Sequence, residues 1–335
     1  MERDPRVYVM GLGVTDPKGI FGTTLGLEQK YGSKRVLDMP TSENGMTGIG
    51  IGSALLGRRP IMVHQRIDFL LLAMDQIINN GSNWHYMFGG QGHIPLVIRA
   101  IIGRGWGQGA QHAQSLQSFF AHVPGLKVVM PTTPADAKGL LVAAVEDPNP
   151  VIFIEHRWLH NVFGPVAEEC YSTPIGKARI VRPGRDATIV SISHMTIDAL
   201  KAAVLLARDG IEVEVLDLRS LRPLDRETIL ESVHRTRHLV VADPAWKSVG
   251  VSAEVVATVA EGAWGVLKKA PRRVCHPEAP VPSSPSLSAR YYPGPLQFVN
   301  AIRDLLDLPP RSAEELAIKT DVPPDVPDAT FTGPF

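Results

Sequence analysis

Short runs of β-branched and apolar residues alternate along the chain with longer stretches whose apolar positions recur at helical spacing. In the first half, residues 6–10, 36–38, 60–63, 95–102, 127–130 and 151–154 read as strands, and 21–31, 46–56, 69–78 and 133–146 as helices. Residues 95–102 are apolar apart from Arg99, which predicts a strand covered on both faces. Residues 46–56 are small and apolar on all sides, which predicts a buried helix. The helix at 133–146 has a legible start, with Thr133 as N-cap, Pro134 in the first helical position and Asp136 near the positive end of the dipole. Asp147-Pro-Asn-Pro150 stops it. The second half repeats the alternation, with strands at 187–192, 212–218, 238–242 and 272–276 and helices at 196–208, 225–234, 252–267 and 295–306. Gly210 suits a helix C-cap and Asp225 an N-cap. Prolines at 277, 280, 282, 285, 293 and 295 predict an extended crossing rather than a helix. The pattern is that of an α/β protein with two parallel-sheet domains, helices on both faces of each sheet. The boundaries it suggests are a domain at 1–165, a linker at 166–185, a second domain at 186–308 and an extended surface tail at 309–335.

Composition agrees with a two-domain globular chain: 335 residues, 44% hydrophobic and 20% charged. Lys+Arg and Asp+Glu are both 34, so no global charge excess draws the chain to nucleic acid or anionic lipid. Two cysteines, Cys170 and Cys275, are too few for a disulfide framework or a cysteine-rich zinc site. The first residues are charged, unlike a signal peptide, and no apolar run reaches the roughly 18 residues a membrane span needs. These features predict a cytoplasmic protein with neither a nucleic-acid nor a membrane partner.

Several segments carry candidate chemistry. Gly48-Ile-Gly-Ile-Gly52 lacks the preceding strand that a dinucleotide fingerprint requires, so close helix packing is the better reading. Glu43, in Pro40-Thr-Ser-Glu-Asn-Gly45, stands where a helix begins: it is either a capping carboxylate or a proton-transfer group facing an apolar site. The glycine-rich segment 103–109 follows a buried strand, where open α/β sheets bind ligands, and His112 comes directly after it as an acid/base candidate. His64, Gln65, Arg66 and Asp68 at a strand end suggest a polar pocket, with a solvated turn as the competing reading. No zinc-protease, nucleophile-elbow or P-loop motif occurs.

Taken together, Gly19-Ile-Phe-Gly-Thr-Thr-Leu-Gly26, residues 35–45, Ala73-Met-Asp-Gln-Ile-Ile-Asn79, Gly109-Ala-Gln-His-Ala-Gln114, Pro124-Gly-Leu-Lys-Val-Val-Met-Pro131, Asp136-Ala-Lys-Gly-Leu-Leu141 and Leu218-Arg-Ser-Leu-Arg-Pro-Leu224 form one colinear pattern. From about residue 4 to 306 it resembles the β subunit of the thiamine-diphosphate-dependent decarboxylating component of 2-oxo acid dehydrogenase complexes, the group that holds the pyruvate, branched-chain and acetoin enzymes. The resemblance implies a pyrimidine-binding domain followed by a transketolase C-terminal-like domain. It implies that Glu43 bonds the aminopyrimidine of thiamine diphosphate and helps generate the carbon nucleophile, that Phe69 packs on the pyrimidine, and that His112 exchanges protons near the reacting carbon. It also implies a monovalent-cation loop, such as one for K⁺, at Leu96, Ala144, Asp147 and Asn149. The family's diphosphate and Mg²⁺ motif contains Gly-Asp, a dipeptide this sequence lacks. The implied assembly is therefore α₂β₂, with an α-type subunit holding the diphosphate and Mg²⁺, and a lipoyl-bearing acyltransferase or carrier as a further partner.

Two departures from the family pattern bear on substrate. His64-Gln-Arg66 replaces what is usually a less polar run, and Trp84, His85 and the run 155–160 are also unusual. His64, Arg66 and Asp68 would suit a hydroxylated, carboxylated or phosphorylated donor better than a small apolar one. The expectation is acyl transfer after cleavage beside a carbonyl. A split transketolase-like ketol transferase is one alternative, and a non-catalytic scaffold subunit is another.

Overall fold

Apolar runs with no polar face become strands sandwiched between helices. A computed structural model describes residues 1–103 and 108–318. The first half supplies β1 (Val7–Gly11), β2 (Val36–Asp38), β3 (Arg59–His64), β4 (Val97–Ile102), β5 (Lys127–Val129) and β6 (Val151–His156). The second supplies β7 (Arg179–Arg182), β8 (Ala187–Ser191), β9 (Val213–Asp217), β10 (Ser220–Arg222), β11 (Leu239–Trp246) and β12 (Arg272–His276). They form a seven-stranded sheet, β10-β5-β6-β4-β3-β1-β2, and a five-stranded sheet, β12-β11-β8-β9-β7.

The sheets are parallel except at one edge each. β10 pairs antiparallel with β5, and β7 pairs antiparallel with β9, while the remaining pairs are parallel, as expected of two parallel-sheet domains. Both strands are too short and too rich in arginine to show a hydrophobic period, which is why the pattern misses them. β10 is a strand of the second half in the sheet of the first. Beside it, the Met130 amide donates to the Arg219 carbonyl at 2.8 Å. One hydrophobic cluster runs from Met10, Met62 and Phe120 into Val190, Leu216 and Val255, across both halves. Gln117 donates to Asp243 across the same boundary at 2.9 Å. An aromatic seam adds to it: His156 stacks on His194 at 4.7 Å, and Trp158 meets Tyr292 edge-on at 5.0 Å. The segment between the halves lies along the helix Pro134–Glu146, with the Tyr171 hydroxyl donating to the Ala135 carbonyl at 2.8 Å.

The helix starts at Thr133 and Asp225 are as expected, each side chain accepting from the backbone amide three residues on. Other elements differ from the sequence pattern. Of 21–31 only Leu27–Tyr31 is helical, because Gly22 and Gly26 take left-handed φ of 79° and 75°. The helix read at 46–56 starts earlier, as Glu43–Leu55, and buries one face through Thr47, Gly50, Ile51 and Ala54 while Ile49 is exposed. Gly50 packs on Met62 and Met10, as close packing requires, whereas Gly52 faces open space. The stretch 69–78 becomes three short helical pieces, Ile67–Leu70, Leu71–Ala73 and a wide turn Gln76–Ser82. The proline-rich crossing contains a helix, Pro285–Tyr291, since proline in the first helical turn loses no hydrogen bond. Among the described residues no helix is long and apolar enough to cross a membrane. Residues 104–107 of the glycine-rich segment and 319–335 of the tail lie outside the described residues.

Asp217, at the end of β9, is fully buried, and burial pushes its carboxyl up to about 7 against the hydrogen bonds from Thr132 and the Arg219 amide. The folded carboxyl thus holds a proton that the unfolded chain releases, so its effect on stability worsens as pH rises from the ordinary aspartate range through about 7. Asp217→Asn is expected to gain stability relative to the parent by about 2–3 kcal/mol more at pH 8 than at pH 5. Urea unfolding at the two pH values checks this, and a pH-independent difference would refute it.

Candidate active site

Parallel strands deliver their exits to one edge, and β4, β3, β1 and β2 are neighbours in that order. At the end of β2, Asp38 Oδ1 accepts the Gly13 amide at 2.7 Å and the Met39 amide at 3.0 Å, tying the exits of β1 and β2 together. The chain then turns into the helix Glu43–Leu55, which places the half-buried Glu43 in its first turn, near the positive end of the dipole. Glu43 lines a small cleft with Leu12, Met39, Pro40, Val63, His64, Gln65 and Phe69. Its lining brings one phenyl ring and one carboxylate together with an imidazole and a carboxamide among apolar residues.

His64 ends β3 and is 4% exposed. Burial pulls its imidazole down to about 4, so it is neutral at physiological pH, and its Nε2 is buried without a partner. A cleft wall with an unanswered polar atom fits a ligand that supplies the missing hydrogen bond. Arg66 is 2% exposed. Its Nη1 donates to the Gly103 carbonyl at 2.7 Å and its Nη2 to the Gln108 side-chain oxygen. The guanidinium lies over the Phe21 ring at 5.2 Å, and Arg157 lies over the same ring at 4.6 Å. Burial drags Arg66 down to about 10, with the Asp68 charge acting against that and Arg157 with it. Asp68 Oδ1 accepts the Gln114 side-chain amide at 2.8 Å. Phe69 meets the exposed His112 edge-on, centroids 5.3 Å apart and planes at 86°. Gly103 is at φ 84°, and a Cβ there would lie 2.6 Å from the His156 ring, so glycine is required on both counts.

The sequence-predicted residues thus divide into three groups. Glu43, His64 and Phe69 share the cleft, and His112 is at its edge through Phe69. Arg66 and Asp68 engage the segment that follows β4. Leu96, Ala144, Asp147 and Asn149 lie elsewhere, where the helix Pro134–Glu146 ends and β6 begins. There the Leu96 carbonyl accepts the Val151 amide at 3.0 Å, and Asp147 pairs with Lys127 and accepts the Asn149 amide at 2.9 Å. Two residues of consequence escape sequence reasoning. Asp38 is hidden inside a strand pattern, and Gln114 looks like any polar loop residue; only a turn-forming neighbour, Met39-Pro40, hints at the first.

Comparison with known proteins shows the family of the chain. Residues 1–161 match the pyrimidine binding domain of transketolase, and residues 176–297 match the transketolase C-terminal domain. The chain is 45% identical to the acetoin:2,6-dichlorophenolindophenol oxidoreductase subunit beta of Cupriavidus necator, over 90% of this chain and 92% of that one. It is 43% identical to the mitochondrial pyruvate dehydrogenase E1 component subunit beta-1 of Arabidopsis thaliana, over 86% of this chain and 80% of that one. A solved structure described as a split gene transketolase, an inactive beta4 tetramer, shares the fold with a TM-score of 0.76 at 23% identity, covering 92% of this chain and 94% of that one.

Arg66→Ala is expected to release its hold on Gly103 and Gln108. Hydrogen exchange should rise in peptides covering the segment after β4 while β3 stays protected, and unchanged exchange would show that the guanidinium does not hold it.

Proposed function

The chain belongs to the transketolase-like family of β subunits that contains the acetoin and pyruvate dehydrogenase components, and from that membership we infer that it is the β half of a heteromeric thiamine-diphosphate enzyme. Its reaction is cleavage of a bond beside a carbonyl, followed by transfer of the acyl unit to a lipoyl group or another carrier. The observation that carries this reading is the convergence of Glu43, Phe69 and His112 from three strand exits on one cleft edge.

Thiamine diphosphate, when bound, supplies an acidic carbon beside a cationic nitrogen, an electron sink for the bond being broken. Glu43 offers a carboxylate at the cleft wall to share a proton with a ring nitrogen. Phe69 gives that ring a flat apolar face. The neutral His64 answers a second polar atom in the same cleft. His112, on the exposed rim, gives or takes a proton at the donor or acceptor oxygen. The diphosphate and Mg²⁺ are assigned to an α-type partner in an α₂β₂ assembly. Exposed Ile49, Leu56, Tyr86, Met87 and Phe88 support a covered surface on this domain. K⁺ held by backbone carbonyls at Leu96, Ala144, Asp147 and Asn149 is an extension of the same proposal. Two free cysteines suit a cytoplasmic location.

A second reading, ketol transfer from a hydroxylated donor, is favoured by the unpartnered His64 Nε2. Product analysis with pyruvate against a ketose phosphate separates the two.

Co-expression with an α-type partner tests the proposal. Calorimetry should show thiamine diphosphate with Mg²⁺ binding to the pair and not to this chain alone. Glu43→Gln is expected to lower turnover by at least about 100-fold with the circular dichroism spectrum unchanged. Full activity in Glu43→Gln would support the scaffold alternative instead.

A further inference from the structure

His112 is at the rim of the cleft, and its own imidazole touches little that would fix it. What holds its position is the turn after β3. Phe69 offers the ring on which His112 rests edge-on at 5.3 Å. One residue earlier, Asp68 Oδ1 accepts both the side-chain amide of Gln114 at 2.8 Å and its backbone amide at 3.4 Å. Gln114 is two residues beyond His112, and on the near side the His112 amide closes a turn on the Gly109 carbonyl at 3.1 Å. Two residues before Asp68 the order repeats. Arg66 holds Gly103 through a 2.7 Å bond and Gln108 through its other nitrogen. Residues 66–69 therefore grip the segment after β4 at its start, before His112 and after it.

A loop that carries an acid/base group needs such a grip, because a proton transfer depends on sub-ångström placement that an exposed loop does not supply. Asp68 is built for it. Its Oδ2 is buried with no partner, so that oxygen is withdrawn from water. Its negative charge also faces the buried guanidinium of Arg66. Neither atom lines the cleft beside Glu43. We propose that Asp68 is a positioning residue for His112: it fixes the 109–114 loop to the Phe69 turn through Gln114, rather than contacting the donor. The inference rests on the assignment of His112 as the proton-transfer group.

The test uses the complex reconstituted with its α-type partner, with acetoin as donor and 2,6-dichlorophenolindophenol as acceptor. Asp68→Ala is expected to lower kcat about 10- to 100-fold, with KM and the thiamine diphosphate affinity within about twofold of the parent. Asp68→Asn keeps an oxygen that accepts from Gln114 and should recover most of the loss. Gln114→Met removes the side-chain bond of that tie from the loop side, so it gives a loss in the same direction even where Asp68→Ala folds poorly. In a His112→Ala background, adding Asp68→Ala should cost nothing further, since the positioned group is gone. Wild-type kcat in both Asp68→Ala and Gln114→Met, with His112→Ala inactive, overturns this inference alone. So does an Asp68→Asn as slow as Asp68→Ala, or a full second loss in the His112→Ala background. An active His112→Ala overturns the assignment of His112 and the inference with it.

Discussion

The constraint on which this molecule depends is the common direction of β4, β3, β1 and β2. Parallel pairing fixes their register, with Gly11 opposite both Val63 and Asp38 and His64 opposite Ala100. All four exits therefore reach one edge, and a site needs no further folding instruction than what each exit carries. Asp38 braces β1 and β2, Glu43 opens the helix after β2, residues 65–69 follow β3, and His112 follows β4. Residues far apart in the chain become neighbours because the sheet cannot place them otherwise.

The same edge concentrates charge in a poorly hydrated place. Arg66 has no carboxylate within bonding distance among the described residues, and carbonyl and amide oxygens take its protons instead. Deeper in, Arg99 meets Glu155 at 2.6 Å and His160 approaches the other oxygen at 3.0 Å. Burial pushes Glu155 up, but Arg99 and His160 more than reverse that and leave it at about 2. Such buried pairs are weak contributors to stability and strong determinants of geometry. Removing one partner leaves the other uncompensated, so these side chains fix the arrangement of β4, β6 and the segments beyond them.

How much was legible in the sequence follows from the range of each interaction. The central strands are legible because burial on both faces forces a nearly continuous apolar run, broken in Val97–Ile102 by Arg99 alone. Helix starts at Thr133 and Asp225 are legible because a cap is a contact between residues three apart. The edge strands β7 and β10 are not, since their pairing partners determine them and their own composition does not. Glu43 and His112 were legible as candidates, but their roles, and Phe69 altogether, emerged only through a family likeness, since no local rule distinguishes Glu43 from an ordinary helix cap. Arg66 and Asp68 were legible as unusual residues but not as to their use. That is set by Gly103, Gln108 and Gln114, some 40 positions away.

The strand β10 has a consequence for how such chains can be cut and recombined. By composition the module boundary lies near residues 166–185, yet the last hydrogen-bonded strand of the first sheet is Ser220–Arg222. A fragment ending in the linker would leave the edge of β5 bare, with unpaired amides and carbonyls open to another chain. Gene fission, domain exchange or a chimera with a related subunit would therefore do better to break the chain after Arg222 or to carry the 220–222 segment across. The unit that is inherited and the unit that folds do not end at the same residue.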